Sequence, residues 1–322
     1  MTLLLVQFPQ NVLAPAGPQA ATIGSLWWFI LAVATVVFVA VMVALLYAVL
    51  HRRPRWERES APPESHRRAT ISIAVAGAIT VAILFAFLVA DFGTLRALNA
   101  VDDRAELTIE LIGHQWWWQV EYRDAVPQRR VSTANEIHIP VGRPVMIKTT
   151  SRDVIHSFWA PNLHGKRDLV PGHQNALVIQ ADTPGVYRAQ CAEYCGHQHA
   201  KMALFVVAES EERFQEWLRR ERALAAPPID SIARRGQEVF LQGTCVMCHA
   251  IKGTPAGSRI GPDLTHLASR LTIGAGTLPN TRGNLAGWIT DPQTIKPGVR
   301  MPPNALTPSD LQALLAYLET LR

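Results

Sequence analysis

Charge is missing from the first 51 of the 322 residues, which contain no aspartate, glutamate, lysine or arginine. Within this stretch, residues 24–50 form an uninterrupted apolar or weakly polar run. At ~1.5 Å per residue, a helix of this length crosses a hydrocarbon core of ~30 Å. A second apolar run covers residues 71–90 and stops at Asp91. Two such runs argue against buried helices of a soluble protein, and they predict a transmembrane helical hairpin within residues 1–95.

Basic residues are absent before the first predicted span and frequent after it. Six arginines lie between the two spans, which places this loop in the cytoplasm and both termini outside it. Trp27 and Trp28, near the start of the first span, are typical of a membrane interface. Residues 14–21 are alanine-rich, as near a signal-peptide cleavage site. Because no basic segment precedes the apolar residues, we favour an N-terminus that is retained.

Cysteine is scarce and the net charge is small. The four cysteines form two close pairs in ligand-like contexts, so none is left over for a structural disulfide. A net charge of +5, with much of the arginine in one segment, gives no indication of nucleic-acid binding. The length predicts two or three domains.

The first cysteine pair belongs to a loop with four soft donors. Cys191, Cys195, His199 and Met202 follow one another at spacings of four, four and three residues. Thiolate, imidazole and thioether ligands suit copper better than magnesium, calcium or manganese. Two cysteines alone would indicate a disulfide in an oxidising compartment, and a site for one copper ion needs one cysteine. The added histidine and methionine favour a metal, and the two cysteines can bridge two copper ions.

A dinuclear centre needs a second histidine from elsewhere in the chain. His156, inside the apolar run 153–161, is the expected donor. His197 lies in the metal loop itself, but we predict that it is a surface residue.

Together these residues resemble subunit II of haem–copper cytochrome c oxidase and its dinuclear copper (CuA) centre. The resemblance implies that copper is bound by five side chains and one main-chain carbonyl: those of His156, Cys191, Cys195, His199 and Met202, and the carbonyl of Glu193. It also implies that the Glu193 carboxylate reaches a magnesium ion at the border with subunit I.

An aromatic segment, residues 113–119, also matches the family. The resemblance assigns electron entry to Trp116, as an exposed ring near the copper centre. We expect Trp117 and Trp118 to be half-buried aromatic residues of a strand. Residues 165–172 resemble the family segment that faces subunit I.

The stretch after the aromatic segment departs from the family pattern. Members that dock a soluble cytochrome c carry acidic residues there, whereas residues 121–130 hold more basic than acidic side chains. Like charges slow encounter, so a basic cytochrome would be steered poorly to this surface. We therefore expect a different external electron donor.

Short β-rich runs separated by turn signals predict that residues 96–208 form an all-β cupredoxin-like sandwich. The predicted strands are 106–112, 116–123, 136–139, 145–150, 176–180, 186–190 and 203–207. The metal loop then lies between the last two strands.

The remainder predicts a linker helix over residues 209–228 and an all-α monohaem cytochrome c domain over 229–322. The linker helix has acidic residues in its first turn and arginines later, which complements the helix dipole. Cys245, Cys248 and His249 form the C-x-x-C-H signature of haem attachment. A C-x-x-C pair alone could be a redox dithiol or half a zinc site, and the adjacent histidine favours haem.

Met301 is the expected sixth ligand of the haem iron. Met247 lies within the attachment loop and is a poor candidate, and His266 is a weak alternative. Ligation by histidine and methionine gives a higher potential than ligation by two histidines.

The full resemblance implies a cytochrome c oxidase subunit II with a fused C-terminal cytochrome c domain, in a bacterial plasma membrane. It would relay electrons from an external donor (a cytochrome c or a quinol–cytochrome c reductase complex) through haem c and copper to subunit I, which reduces oxygen and pumps protons. Subunit III and membrane lipid are further expected partners. Glu64 lies near a proton-path position of some relatives, but the surrounding pattern is absent and we expect a solvated loop residue.

Three other functions share part of this pattern. A quinol oxidase subunit II lacks the copper ligands. A nitrous-oxide-reductase-like protein carries a large catalytic domain for which this chain has no room. The remaining alternative is a membrane-tethered copper chaperone with a cytochrome domain, which would release copper readily to a chelator.

Overall fold

The computed structural model describes residues 10–51, 63–102 and 105–322, and it contains two compact units. One unit covers residues 21–100 and holds the apolar helices. The other covers the rest of the described chain and holds the sandwich and the C-terminal domain. The arginine-rich stretch 52–62 and the side chain of Glu64 lie outside the described residues.

Two long apolar helices dominate the N-terminal part. Helix α1 covers Pro18–Leu50 and α2 covers Pro63–Asp102, and both are long and apolar enough to cross a membrane. The ring of Phe29 on α1 packs edge-on against Phe87 on α2, with 5.6 Å between centroids. Each predicted span lies inside one helix. The charge of Asp91 ends the apolar run, but the helix continues beyond it to Asp102.

Ten strands form the predicted sandwich. In chain order, β1 to β10 are Leu107–His114, Trp117–Tyr122, Val131–Ala134, Glu136–Pro140, Val145–Ser151, His156–Trp159, Arg167–Leu169, Asn175–Ile179, Gly185–Cys191 and Ala203–Glu209. One sheet has the order β3-β2-β1-β5-β8 and the other the order β4-β10-β9-β6-β7. Only β1–β5 and β4–β10 pair in parallel among these ladders of the described chain. The cupredoxin-like fold is confirmed, and the short strands β3, β6 and β7 are additional to the prediction.

Alternation along the strands builds the core of the sandwich. Strand β2 has alternating half-buried and buried residues, as expected where successive side chains point to opposite faces. The largest side chains of the core, including Trp118 and Phe158, are fully buried. Trp118 was predicted to be half-buried, and this prediction is wrong because its ring points between the two sheets.

The segment before α1 is attached to the sandwich. The side chain of Asn162 donates to the carbonyls of Asn11 and Ala14 at 3.0 and 2.8 Å. The amide of Ala16 donates in return to the Asn162 carbonyl at 2.7 Å. Gly17 passes so close that a Cβ there would lie 2.1 Å from the Gln180 oxygen. Cleavage within the alanine-rich stretch would therefore remove contacts that hold this edge of the sandwich.

The helix after the sandwich, α3, covers Glu211–Arg222. Its N-cap is Ser210, which accepts from the amide of Arg213. Phe214, Trp217 and Leu218 are buried in the sandwich core. The predicted linker is therefore packed against the sandwich over its helical part, because its apolar stripe covers the strand edge.

A charged cluster accompanies this packing. The ring of His138 stacks on Trp217 at 4.2 Å between centroids. Its Nδ1 lies 3.4 Å from Glu209, and its Nε2 lies 3.8 Å from Glu136. Burial alone would lower the pKa of His138, but the two carboxylates outweigh burial and raise it above 6.5. The bond to His138 in turn lowers the pKa of Glu209.

This cluster gives stability a dependence on pH. The folded protein keeps the His138 proton above pH 6.5, where the unfolded chain releases it, so the stabilisation is complete below that pH and is lost as pH rises through the folded pKa. We expect His138→Gln to lower Tm by about 3 °C at about pH 6 and by much less at about pH 9. Calorimetry of both proteins over this range measures the difference. If the difference in Tm between the two proteins does not change with pH, the lower Tm of His138→Gln comes from the lost ring stacking alone.

The C-terminal domain is helical, as predicted. Helix α4 covers Ser231–Gln242, α5 covers Arg282–Thr290, α6 covers Pro292–Ile295 and α7 covers Pro308–Leu318. Between α4 and α5, two strands of two residues each, β11 (Thr272–Ile273) and β12 (Leu278–Pro279), pair in an antiparallel ladder on either side of a turn.

Helix α7 has a capped start and one buried apolar face. Thr307 caps it by accepting from the amide of Asp310, and Pro308 occupies the first turn. The apolar stripe is core: Leu314, Leu315, Leu318 and Leu321 are buried and Leu311 is half-buried.

Candidate metal centre

The loop between β9 and β10 brings four predicted ligands together. Cys191 is the last residue of β9, and Met202 immediately precedes β10. The antiparallel ladder pairs Ala203 with Gln190, and the Cys191 amide donates to the Met202 carbonyl at 3.0 Å. Because the strands hold both ends of the loop side by side, residues 192–201 fold back over them.

The sulfur of Cys195 is the centre of the cluster. It lies 3.7 Å from Cys191 Sγ, 3.8 Å from Met202 Sδ and 3.6 Å from His199 Nδ1. Both cysteines are free and about 2% exposed, and Met202 is fully buried. The spacing read from the sequence therefore corresponds to one compact set of donors.

His156 completes the set from the neighbouring strand. It begins β6, which pairs with β9 by placing Phe158 opposite Cys191. Its Nδ1 points to Cys191 Sγ at 3.9 Å, and the ring is fully buried. Gly113 lies behind the ring, where a Cβ would come within 2.6 Å of His156 Cδ2.

Asp153 fixes the orientation of His156. Its Oδ1 lies 2.9 Å from His156 Nε2, and its carboxylate also accepts from the amides of Gln115 and Val154. Burial opposes the charge of Asp153, but these three bonds outweigh it and lower its pKa to about 2. With Nε2 engaged in this way, Nδ1 is the nitrogen left for a metal.

The buried thiols are suited to a metal cation. The hydrogen bond between the two sulfurs lowers the pKa of Cys191 to about 4. The same bond, together with burial, raises the pKa of Cys195. A metal cation can displace the thiol protons and compensate two buried thiolates. His156, Cys191 and Cys195 offer ligand atoms within 4.8 Å of one another, so the donor set fits a copper pair.

Two further residues of the loop have the expected positions. The main-chain carbonyl of Glu193 lies 3.2 Å from Cys191 Sγ, while Glu193 itself is exposed. His197 is exposed, as predicted.

Trp116 was predicted to be an exposed ring, and this prediction is wrong. Only 8% of the residue is exposed, and its Nε1 donates to the Cys195 carbonyl at 2.9 Å. The Cβ position of Gly298, in the C-terminal domain, lies 3.6 Å from the ring. Trp116 thus lies beside the metal loop, and the fused domain covers the face that would otherwise meet solvent.

The haem-attachment motif follows α4 in a short 3-10 turn. Cys245 and Cys248 are free and half-buried, and the ring of His249 is directed by a bond between Nδ1 and the Pro262 carbonyl at 2.7 Å. A Cβ at Gly261 would come within 2.8 Å of His249 Cε1. Nδ1 is occupied and Nε2 is left for an iron, so these residues fit a covalently attached haem.

The three proposed sixth ligands differ in position. Met301 is half-buried, and its carbonyl accepts from Gln293 at 2.8 Å. Met247 is 66% exposed. His266 is buried with Nε2 3.3 Å from the Ala223 carbonyl. Met301 stays the predicted sixth ligand of the haem iron.

Sequence reasoning missed the residues that support these ligands. Asp153 and Gly113 stand in segments that were singled out, yet their roles depend on side-chain contacts across strands. Lys296 donates from Nζ to the Trp116 carbonyl at 2.8 Å. No sequence pattern indicated this contact, because a lone lysine between a short helix and a Pro-Gly turn is usually a surface residue.

Both domains of the chain match known protein families. The family "Cytochrome C oxidase subunit II, periplasmic domain" matches residues 125–209, and the family "Cytochrome c" matches residues 233–322. A cytochrome c oxidase subunit 2 from Alkalihalophilus pseudofirmus is 32% identical over 97% of this chain and 91% of its own length.

The chain belongs to the cytochrome c oxidase subunit II family.

A second relative, subunit 2 from Bacillus sp. (strain PS3), is 30% identical over 74% of this chain and 68% of its own length. The solved periplasmic domain of oxidase subunit II of Bradyrhizobium japonicum is 28% identical, covers 37% of this chain and 94% of its own, and has a TM-score of 0.35. Membership of the family confirms the predicted enzyme class, and the two matched domains imply copper and haem c as cofactors. As a subunit II with two candidate spanning helices, the chain is a membrane protein.

Proposed function

We propose that this subunit II relays electrons from a haem c in its C-terminal domain to a dinuclear copper centre in its sandwich, and from there to subunit I. The observation that carries the proposal is the contact between the two domains. The segment leading to Met301 lies against Trp116, whose indole donates to the carbonyl of Cys195. The metal loop and the segment that precedes Met301 thus meet across one interface.

The residues divide into two binding sets. Copper would be held by His156, Cys191, Cys195, His199, Met202 and the Glu193 carbonyl. Haem would be attached to Cys245 and Cys248, with His249 and Met301 as axial ligands. When bound, these groups supply reversible one-electron chemistry. Trp116 is proposed as the side chain through which electrons enter the copper centre.

The protein's own contribution is rigidity and exclusion of water. Ladder hydrogen bonds fix both ends of the metal loop, and the bond to Asp153 fixes His156. Gln190 Nε2 donates to the carbonyl of His199 at 3.1 Å, which holds the loop against β9. Because the donors are buried and already oriented, little reorganisation accompanies a change of charge at the centre.

The fused domain replaces a diffusing donor. Tethering gives the donor a high effective concentration, and Gly298 lies over the Trp116 ring that a soluble cytochrome would need to reach. The external donor, a cytochrome c or a quinol–cytochrome c reductase complex, would then reduce the fused domain. The basic stretch 121–130 disfavours a basic cytochrome at the sandwich.

The remaining proposals concern the complex in the membrane. Subunit I would take electrons for oxygen reduction coupled to proton pumping, with subunit III and lipid as further partners. The exposed Glu193 carboxylate would bind magnesium at the border with subunit I. The arginines between the spans favour a cytoplasmic loop, which puts both termini and both metal domains outside the bacterial plasma membrane.

Metal analysis with electron paramagnetic resonance on the full-length, detergent-solubilised chain tests the relay. We expect two copper ions and one haem per chain, with an oxidised signal from one unpaired electron shared by both coppers. Copper should stay bound during mild chelation, since four of its ligands are buried: His156, Cys191, Cys195 and Met202. An ordinary single-copper signal, or copper lost to the chelator, would favour the chaperone function instead.

A further inference from the structure

A short segment of the C-terminal domain contacts the metal loop on both sides. Gln198, which precedes His199, donates from Nε2 to the Pro297 carbonyl at 2.7 Å. Lys201, which precedes Met202, donates from Nζ to the Ile295 carbonyl at 2.6 Å. The docking segment, residues 295–300, therefore lies between the proposed copper ligands and Met301.

Lys296 is the buried residue of the docking segment. It is 1% exposed, and its Nζ donates to the carbonyls of Trp116 and Gly274, each at 2.8 Å. Within the described part of the chain it makes no ion pair with a carboxylate. A lysine is rarely buried without such a partner, because desolvating its ammonium is costly. An apolar side chain would fill this space at lower cost, so the two hydrogen bonds are what distinguishes lysine here.

These bonds connect three segments that meet at the metal loop. Trp116 belongs to the turn before β2, and the ring of Trp116 donates to the Cys195 carbonyl. Gly274 belongs to a tight turn with positive φ at Gly274, Ala275 and Gly276. The Ala275 carbonyl accepts from the amide of Ala203, directly after Met202, at 3.0 Å. Lys296 thus joins the sandwich, this turn and the docking segment at one nitrogen.

The contact does not depend on the charge of the lysine. Burial lowers the pKa of Lys296 to about 7. A neutral amine still has two N–H donors, and the site presents two carbonyls. Both bonds can therefore persist in either protonation state.

We propose that Lys296 is a positioning residue for electron transfer between the two domains: it holds the segment that leads to Met301 against the main chain of Trp116. The inference rests on the proposed relay, in which one electron leaves haem c and one electron enters the copper pair, with no bond made or broken. Lys296 donates to the main-chain carbonyls of Trp116 and Gly274, and it acts by fixing the separation and orientation of the two domains. The rate of electron transfer falls steeply as the two centres move apart, so loosening this contact slows the step.

Lys296→Met removes the donors and keeps an unbranched chain of similar volume. The matched control is Lys148→Met, at an exposed position on β5. Both variants are made in the full-length chain within the assembled oxidase, and copper and haem contents are measured. The haem is then reduced by a flash-excited ruthenium photoreductant, which a sacrificial electron donor regenerates, and two rate constants are followed: haem to copper, and copper to subunit I.

For Lys296→Met we expect haem-to-copper transfer to slow several-fold, with the copper-to-subunit-I step unchanged. Lys148→Met leaves both steps at the wild-type rate. In the metal-free chain, hydrogen exchange of the docking segment and of residues 113–118 rises in Lys296→Met only. Lys201 is exposed in the metal loop and donates to the docking segment. Lys201→Met is expected to slow haem-to-copper transfer by a smaller factor, and it provides the test if Lys296→Met does not fold.

The outcomes separate the inference from the relay on which it rests. An unchanged haem-to-copper rate in Lys296→Met overturns the positioning role, whether or not hydrogen exchange rises. Should neither lysine variant alter rate or exchange, the docking segment is not held by these bonds. Absence of haem-to-copper transfer in the wild-type oxidase would instead overturn the proposed function, while the exchange measurement still reports on the Lys296 contact.

Discussion

Replacing Cys195 with serine is expected to abolish copper binding and to lower oxygen consumption by the assembled oxidase roughly 100-fold or more. Cys195 Sγ lies within 3.8 Å of a thiol, an imidazole and a thioether of the same cluster, so its loss affects three other donors of the site. A serine hydroxyl does not ionise at neutral pH and is a hard donor that copper disfavours. Metal analysis and oxygen uptake of the purified variant complex measure both effects.

The matched control is His197→Gln. His197 lies in the same loop, two residues from Cys195, but its side chain is exposed. We expect the wild-type copper content and activity in this variant. Retention of the copper pair by Cys195→Ser would remove the dinuclear interpretation, and Cys191 and Cys195 would then need to be considered as a redox dithiol.

Replacing Gly236 with alanine is expected to destabilise the C-terminal domain by about 3 kcal/mol. Gly236 is buried where α4 crosses α7. A Cβ at this position would lie 1.9 Å from the Ala313 carbonyl oxygen and 2.8 Å from Tyr317 Cβ. Neither atom is the end of a flexible side chain, so the helices must separate. Thermal unfolding followed at the haem absorbance reports the loss, and we expect less haem per chain because the helices around the attachment motif no longer close.

Gly283→Ala is the appropriate comparison for this second effect. Gly283 lies in α5 of the same domain, and a Cβ there has no neighbour within 4 Å. Alanine reduces the freedom of the unfolded chain, so we expect a neutral change or a gain of about 0.5 kcal/mol. Equal stability of the two variants would show that the crossing tolerates a wider separation than the contact at Gly236 indicates.

The sequence predicted features that depend on local spacing. The copper loop was recognisable because four donors stand within twelve residues, and the haem motif because its three residues stand within five. The two spans were predictable from composition alone. The strands β3, β6 and β7 were not, since three or four residues are too few to show alternation.

Contacts between distant parts of the chain could not be predicted in this way. The burial of Trp116 depends on Gly298 and Lys296, which lie about 180 positions later and in another domain. The orientation of His156 depends on Asp153, whose carboxylate was one of 26 acidic groups in the chain. Such contacts follow from packing of completed elements, and no local pattern indicates them.

The cover over Trp116 has a consequence for how the oxidase responds to its surroundings. A freely diffusing donor delivers electrons at a rate that falls when the compartment is diluted and when salt screens the encounter. Here the partner of Trp116 is part of the same polypeptide and already rests on it. In the proposed relay, delivery to the copper centre would therefore be a first-order event, indifferent to the protein content and ionic strength of the medium. Any sensitivity of respiration to those conditions would belong to the step that reduces the fused domain.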